Sequence, residues 1–197
     1  MNRVPNLLLL FVLMCTMMVA SCKKDPEVDI IIKGCKDPLG DNYNKDAEEE
    51  DGSCTYQKRF IAQYDVNILC GAATAIFKDA TMEITSNTKK DRVNFLIGSI
   101  AGDITFDGVI TTNTIKIDTI IQDLIVNAKN INVNFPDQNV KADVTMQSLL
   151  TLSDDAKKLS GDMVVKIKSN EPITINGIVI PAGTSVDDKC AFQGTKK

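Results

Sequence analysis

Polar and apolar residues alternate along most of the chain after position 57. Residues 130–135, Asn-Ile-Asn-Val-Asn-Phe, give the strictest run, which stops at Pro136. Ile104, Phe106 and Ile110 alternate with Asp103, Thr105, Asp107 and Thr111, and Ile115 and Ile117 with Lys116 and Asp118. Val140, Ala142, Val144 and Met146 alternate with Lys141, Asp143, Thr145 and Gln147. Met163, Val165 and Ile167 do the same against Asp162, Val164 and Lys166. A period of two turns one face of a strand to a core and the other to water. Half-wet strands of this kind belong to antiparallel sheets.

The connections agree with that reading. Asn176-Gly177 sits between Ile173-Thr174-Ile175 and Ile178-Val179-Ile180, a strong signal for a tight hairpin. Residues 135–139 form a turn, and residues 153–161 a longer charged link with room for one helical turn. Residues 118–127 are ambiguous: Ile120, Ile121, Leu124 and Ile125 have helical spacing inside a strand-like stretch. With residues 75–85 and 92–98 added, the pattern predicts about eight strands. The expected fold class is all-β, an antiparallel sandwich or a closed up-and-down barrel, either of which protects its strand edges.

The front of the chain is different. Arg3 leads into an apolar run over residues 7–19 that ends in Val19-Ala20-Ser21-Cys22. The run is too short for a transmembrane helix and has the layout of a secretory signal. The small residues before Cys22 suit a signal-peptidase pocket, and the Cys22 thiol is the natural acyl acceptor. The expected organisation is a signal peptide at 1–21, a lipidated tether at 22–33, a Cys-bounded module at 34–56 and a β domain at 57–197. Cys15 falls in the removed segment, and setting Cys22 aside leaves Cys35, Cys54, Cys70 and Cys190. An even number of cysteines in an oxidising compartment predicts structural disulfides.

Residues 19–22 resemble the lipobox of bacterial lipoproteins. The resemblance implies acylation at Cys22 with two or three chains, enough for stable anchoring where a single chain binds weakly. Lys23-Lys24-Asp25-Pro26-Glu27 follows. It has no Asp directly after Cys22 and resembles the surface-export tag of lipoproteins in some Gram-negative groups. The implied location is the outer membrane, on the cell surface rather than the periplasmic face.

Between Cys35 and Cys54 the chain is a loop of turn-formers, with Asp37-Pro38 and Asp51-Gly52-Ser53 as the clearest breaks. A Cys35–Cys54 bridge would constrain the unfolded chain by roughly 3 kcal/mol, and a Cys70–Cys190 bridge, stapling the first strand to the last segment, by roughly 4 to 5 kcal/mol. Crossed pairing of the two sets remains open. The loop is rich in hard oxygens, so Asp37, Asn42, Asn44, Asp46 and Asp51 are candidate calcium ligands. Their spacing departs from the EF-hand pattern, and Lys45 opposes a cation in their midst. No other cofactor is expected.

Gly34, Cys35, Asp37, Pro38, Asn42, Tyr43, Asn44, Ala47, Asp51, Gly52, Ser53, Cys54 and Tyr56 match the pattern Gly-Cys-x-Asp-Pro-x-Ala-x-Asn-Tyr-Asn-Pro-x-Ala-x-x-Asp-Asp-Gly-Ser-Cys-x-Tyr. Residues 34–56 thus resemble a short repeat of bacterial surface and secreted proteins. Gly40, Lys45 and Glu50 depart from it. The resemblance implies an extracellular, disulfide-closed spacer or adhesion-associated module, not a catalytic one.

Composition narrows the chemistry. The net charge is −4, and loss of residues 1–21 removes one base and no acid, leaving −5. Nothing here would hold a nucleic-acid backbone. The chain has no His and no Trp. Imidazole general-base catalysis and His metal sites are therefore excluded. No glycine-rich phosphate loop and no Cys-x-x-Cys motif is present. The expectation is a non-enzymatic, membrane-anchored binding or adhesion protein with a protein or glycan partner at the surface. The alternative is a lipocalin-like carrier of a small apolar ligand, or a small periplasmic enzyme. An open apolar interior would favour the carrier, and a filled one the binding module.

Overall fold

Alternation builds a barrel. The computed structural model describes residues 30–71, 77, 80–99, 102–131 and 134–197. The expected signal peptide, Cys22, the expected tether up to residue 29 and much of the first half of the expected strand at 75–85 lie outside the described residues. Eight antiparallel strands close on themselves. They are β3 (Ala62–Leu69), β4 (Thr81–Ser86), β5 (Arg92–Ser99), β6 (Gly102–Ile110), β7 (Thr114–Asn127), β8 (Asn139–Leu152), β9 (Lys158–Ser169) and β12 (Ser185–Lys196). Each pairs with the next, and β12 returns to β3. The barrel is preceded by β1 (Lys33–Gly34), β2 (Glu49–Glu50) and one helical turn, α1 (Gln57–Phe60).

Every wall strand turns apolar side chains inward, among them Tyr64, Ile84, Phe95, Ile104, Ile115, Met146, Val165 and Phe192, all buried in one continuous cluster. The interior is thus packed by the same residues whose alternation marks the strands. Phe95 and Phe106, opposite each other in the β5–β6 ladder, stack with ring centroids 4.9 Å apart. Gly161 lets two strands approach closely: a Cβ there would sit 2.3 Å from the Leu149 carbonyl oxygen.

The hairpin expected at 173–180 forms as β10 (Ile173–Ile175) and β11 (Ile178–Ile180), inserted between β9 and β12. Its Asn176 and Gly177 have φ of 49° and 82°, the left-handed pair that a type I′ turn requires. The helical spacing at 118–127 turns out to be a bulge in β7. The register shifts between Ile121 and Leu124, where Asp123 has φ 52°. The one extra residue changes the parity of the inward face, which runs through Ile117 before the bulge and Val126 after it, with Ile120 and Ile125 exposed at 61% and 58%. At 153–157 a tight turn replaces the longer link: Lys158 N donates to Ser153 Oγ and Lys157 N to Asp155 Oδ1.

Among the described residues one expected strand, at 130–135, is absent. Ala128–Ile131 is a helical turn, α2, and residues 134–137 are turn and bend, while 132 and 133 lie outside the described residues. The reason is topological. Asn127 and Asn139 form the last pair of the β7–β8 ladder, so the chain between them only crosses the end of a hairpin. Asn127 Oδ1 accepts the Lys129 N–H and starts the helical turn, and Ala128 N donates to the Gln138 carbonyl.

Candidate functional site

The Cys-bounded module folds on short-range bonds of its own. Cys35 and Cys54 form a disulfide with Cα atoms 4.8 Å apart. It brings β1 alongside β2 in parallel, with Lys33 Nζ 3.0 Å from Glu49 Oε2. The second disulfide, Cys70–Cys190, joins the end of β3 to β12. The crossed pairings left open by the sequence do not form.

Four of the five candidate calcium ligands, Asp37, Asn42, Asn44 and Asp51, turn their side-chain oxygens to separate local donors, and Asp46 gives its backbone N–H to Asn44. Asp37 Oδ1 accepts from Leu39 N at 2.9 Å, and Oδ2 from the Tyr56 hydroxyl at 2.8 Å. Asn42 Oδ1 accepts from Thr55 N at 2.9 Å, while its amide donates to the Ser53 carbonyl. Asn44 Oδ1 accepts from Asp46 N, and Asp51 Oδ1 from Ser53 N. These are Asx turns, in which side-chain oxygens satisfy backbone donors of a loop with no ladder. Among the described residues the one cluster of potential ligand atoms is Cys35, Glu50 and Cys54, within 4.8 Å. Its two sulfurs are bonded to each other, so it offers no thiolate.

Hydrogen bonds set the charges in the module. The backbone bond from Leu39 and then the Tyr56 hydroxyl hold the Asp37 carboxyl below its ordinary value. The Asp51 carboxyl is lowered by the Ser53 hydroxyl and backbone. Tyr56 is lowered by Thr112, but burial and the Asp37 carboxylate together outweigh it and raise the phenol.

Tyr56 leads into α1, which seats the module on one end of the barrel. Phe60 is fully buried, and its carbonyl accepts the Tyr64 hydroxyl at 2.7 Å. Gln57 Nε2 donates to the carbonyls of Asn87 and Lys89, in the turn between β4 and β5. Arg59 Nη1 donates to the Thr112 carbonyl, in the turn between β6 and β7, at 2.9 Å. Lys196 Nζ donates to the Arg59 carbonyl, and burial and then Arg59 lower its pKa. The sequence reading picks out none of Gln57, Arg59, Phe60 and Tyr64.

A groove of about 460 Å³ runs between the module and this end of the barrel. Tyr56, Thr55, Lys90, Asp91, Thr111 and Thr112 line it. The lining supplies hydroxyls, one ammonium and one carboxylate, a set suited to hydrogen-bonded binding. On the outer wall two adjoining depressions of about 270 and 500 Å³ share Glu83 and Leu96. No helix among the described residues is long and apolar enough to cross a membrane. No protein-family model matches the chain, and no curated protein or solved structure matches it.

Proposed function

We propose that this is an exported lipoprotein, acylated at Cys22, that works as a non-catalytic binding or adhesion module on the outer membrane and faces the cell exterior. The observation that carries the reading is the Val19-Ala20-Ser21-Cys22 sequence after an apolar run. Disulfide pairing supports it. Cys35, Cys54, Cys70 and Cys190 are consumed by two bridges, and Cys15 belongs to the expected signal, which leaves the Cys22 thiol for acyl transfer. Disulfides also suit an oxidising, extracytoplasmic compartment.

A packed interior supports binding at the surface over carriage inside. Apolar side chains from all eight wall strands meet in one cluster. The module–barrel groove, lined by polar and apolar groups from two parts of the chain, is the surface that a protein or glycan partner would occupy. Cell fractionation of Cys22→Ala tests the anchor. Release of the variant from the membrane fraction is expected, and retention would count against acylation. Protease shaving of intact cells tests the side: digestion places the barrel outside, and protection places it in the periplasm.

A further inference from the structure

The two sulfurs of the Cys35–Cys54 bridge lie in different surroundings. Cys35 is 1% exposed, and Cys54 is half-buried. Backbone packs over the Cys35 side: a Cβ on Gly40 would sit 2.7 Å from Cys35 Sγ. A carboxylate meets the Cys54 side, with Glu50 Oε2 at 3.6 Å and Oε1 at 3.7 Å from Cys54 Sγ. A bridged sulfur has no proton to donate, so this is a charge set against a sulfur rather than a hydrogen bond.

The loop holds that carboxylate in place. Glu50 Oε2 accepts the Lys36 N–H at 2.7 Å, and Oε1 accepts the Gly52 N–H at 2.9 Å. The two donors come from the two arms of the bridge, Lys36 directly after Cys35 and Gly52 shortly before Cys54. The neighbouring cations are engaged elsewhere. Lys36 Nζ donates to the Glu48 carbonyl at 2.9 Å, and Lys33 Nζ pairs with Glu49. Among the described residues no ion pair neutralises Glu50.

Opening a disulfide with a thiol passes through negative sulfur at each step. A thiolate bonds to one sulfur, the S–S bond breaks, and the other sulfur leaves as a thiolate. A second thiolate then attacks the mixed disulfide, so two thiols supply the two electrons and depart joined as a disulfide. Attack at Cys35 is closed by packing. Attack at Cys54 brings a thiolate up to Glu50 and expels Cys35 as a thiolate in a buried place. The second step frees Cys54 as a thiolate beside the same carboxylate, where it is a poorer leaving group. We propose that Glu50 is an electrostatic guard of the Cys35–Cys54 bridge, which repels anionic thiols from the more exposed sulfur and leaves the module open only to cationic ones. The guard works on either side of a membrane.

Two small thiols of matched size and opposite charge test it, 2-mercaptoethanesulfonate and cysteamine, on the mature chain with both bridges formed. Alkylation and mass spectrometry follow each bridge separately. Glu50→Gln keeps the side chain's length and one acceptor oxygen and removes the charge. It is expected to speed opening of Cys35–Cys54 by the anionic thiol about fivefold, the effect of one charge about 4 Å away in water. The cysteamine rate should change far less, and the Cys70–Cys190 rate not at all. The gain with the anionic thiol should shrink in about 1 M salt, where the screening length is about 3 Å. The first mixed disulfide should form on Cys54. An unchanged anionic rate overturns the proposal. So does equal acceleration by both thiols, since a loosened loop admits either charge alike, and so does a first mixed disulfide on Cys35.

Discussion

Tyr56 gives its hydroxyl proton to Asp37 Oδ2 at 2.8 Å, across the mouth of the loop that the Cys35–Cys54 bridge closes. The two side chains lie next to opposite ends of the module, so the bond draws its first turn to its last residue. Tyr56→Phe keeps the ring and removes the bond. It is expected to cost about 0.5 to 1.5 kcal/mol, read as a lower melting temperature.

Acid should weaken the same contacts. Asp37, Asp51, Asp143 and Asp155 all have carboxyls held below the ordinary value of 3.8, each chiefly by a hydrogen bond. Leu39 N is the main donor to Asp37, the Ser53 hydroxyl to Asp51, the Asn170 amide to Asp143 and the Ser153 hydroxyl to Asp155. A depressed folded-state value adds stability above the unfolded value, and that stability is lost as pH falls through the folded one. Thermal melts between about pH 6 and pH 2 should therefore be flat at first and then fall below the ordinary carboxylate range, modestly because solvent reaches all four carboxyls. A melting temperature that rises on acidification would contradict these assignments.

Reduction separates the two bridges. Cys70 and Cys190 are 120 residues apart, so their link removes more freedom from the unfolded chain than the 19-residue link does. Cys70→Ser with Cys190→Ser is expected to lower the unfolding free energy by about 4 to 5 kcal/mol, and Cys35→Ser with Cys54→Ser by about 3 kcal/mol. Urea unfolding of the two double variants checks the order.

What the chain discloses by itself depends on how local the cause is. The β10–β11 hairpin is legible because Asn176-Gly177 is a chemical requirement of its turn. β8 and β9 are legible because nearly every second residue faces the core. β12 is not, since Asp187, Asp188 and Lys189 interrupt its apolar period and only its second half buries side chains. The run at 130–135 has the right alternation and the wrong place, because the β7–β8 ladder on either side leaves it as a crossing. Cysteine pairing and the choice of barrel over sandwich are settled by which ends meet in space. The seat of α1 on the barrel rests on backbone carbonyls at Asn87, Lys89 and Thr112, which no side-chain pattern announces.

Close approach of backbones gives a sharper forecast. Gly161 faces Leu149 so tightly that a methyl group would meet the Leu149 carbonyl oxygen at 2.3 Å. Neither atom is the free end of a flexible side chain, so the wall itself must shift. Gly161→Ala is expected to cost about 1 to 3 kcal/mol in urea unfolding, as overpacking does in a closed interior. Gly52→Ala is the informative partner. Nothing lies near its Cβ position, but its φ of 73° disfavours a side chain, so the smaller loss expected there measures conformation alone.

Calcium should leave the module unchanged. A calcium ion asks for six to eight oxygens directed at one point. Here Asp37 spends both oxygens on Leu39 N and Tyr56, Asn42 spends its oxygen on Thr55, and Asn44 and Asp51 turn theirs to the backbone two residues on. Gathering these groups round an ion would unpair the donors they now satisfy, at a cost comparable to the bonds lost. The expected result is one melting temperature in excess calcium and in chelator. A rise with calcium that disappears in Asp37→Asn would mean that the loop rebuilds itself around the ion, and that its turns are a resting arrangement rather than the working one.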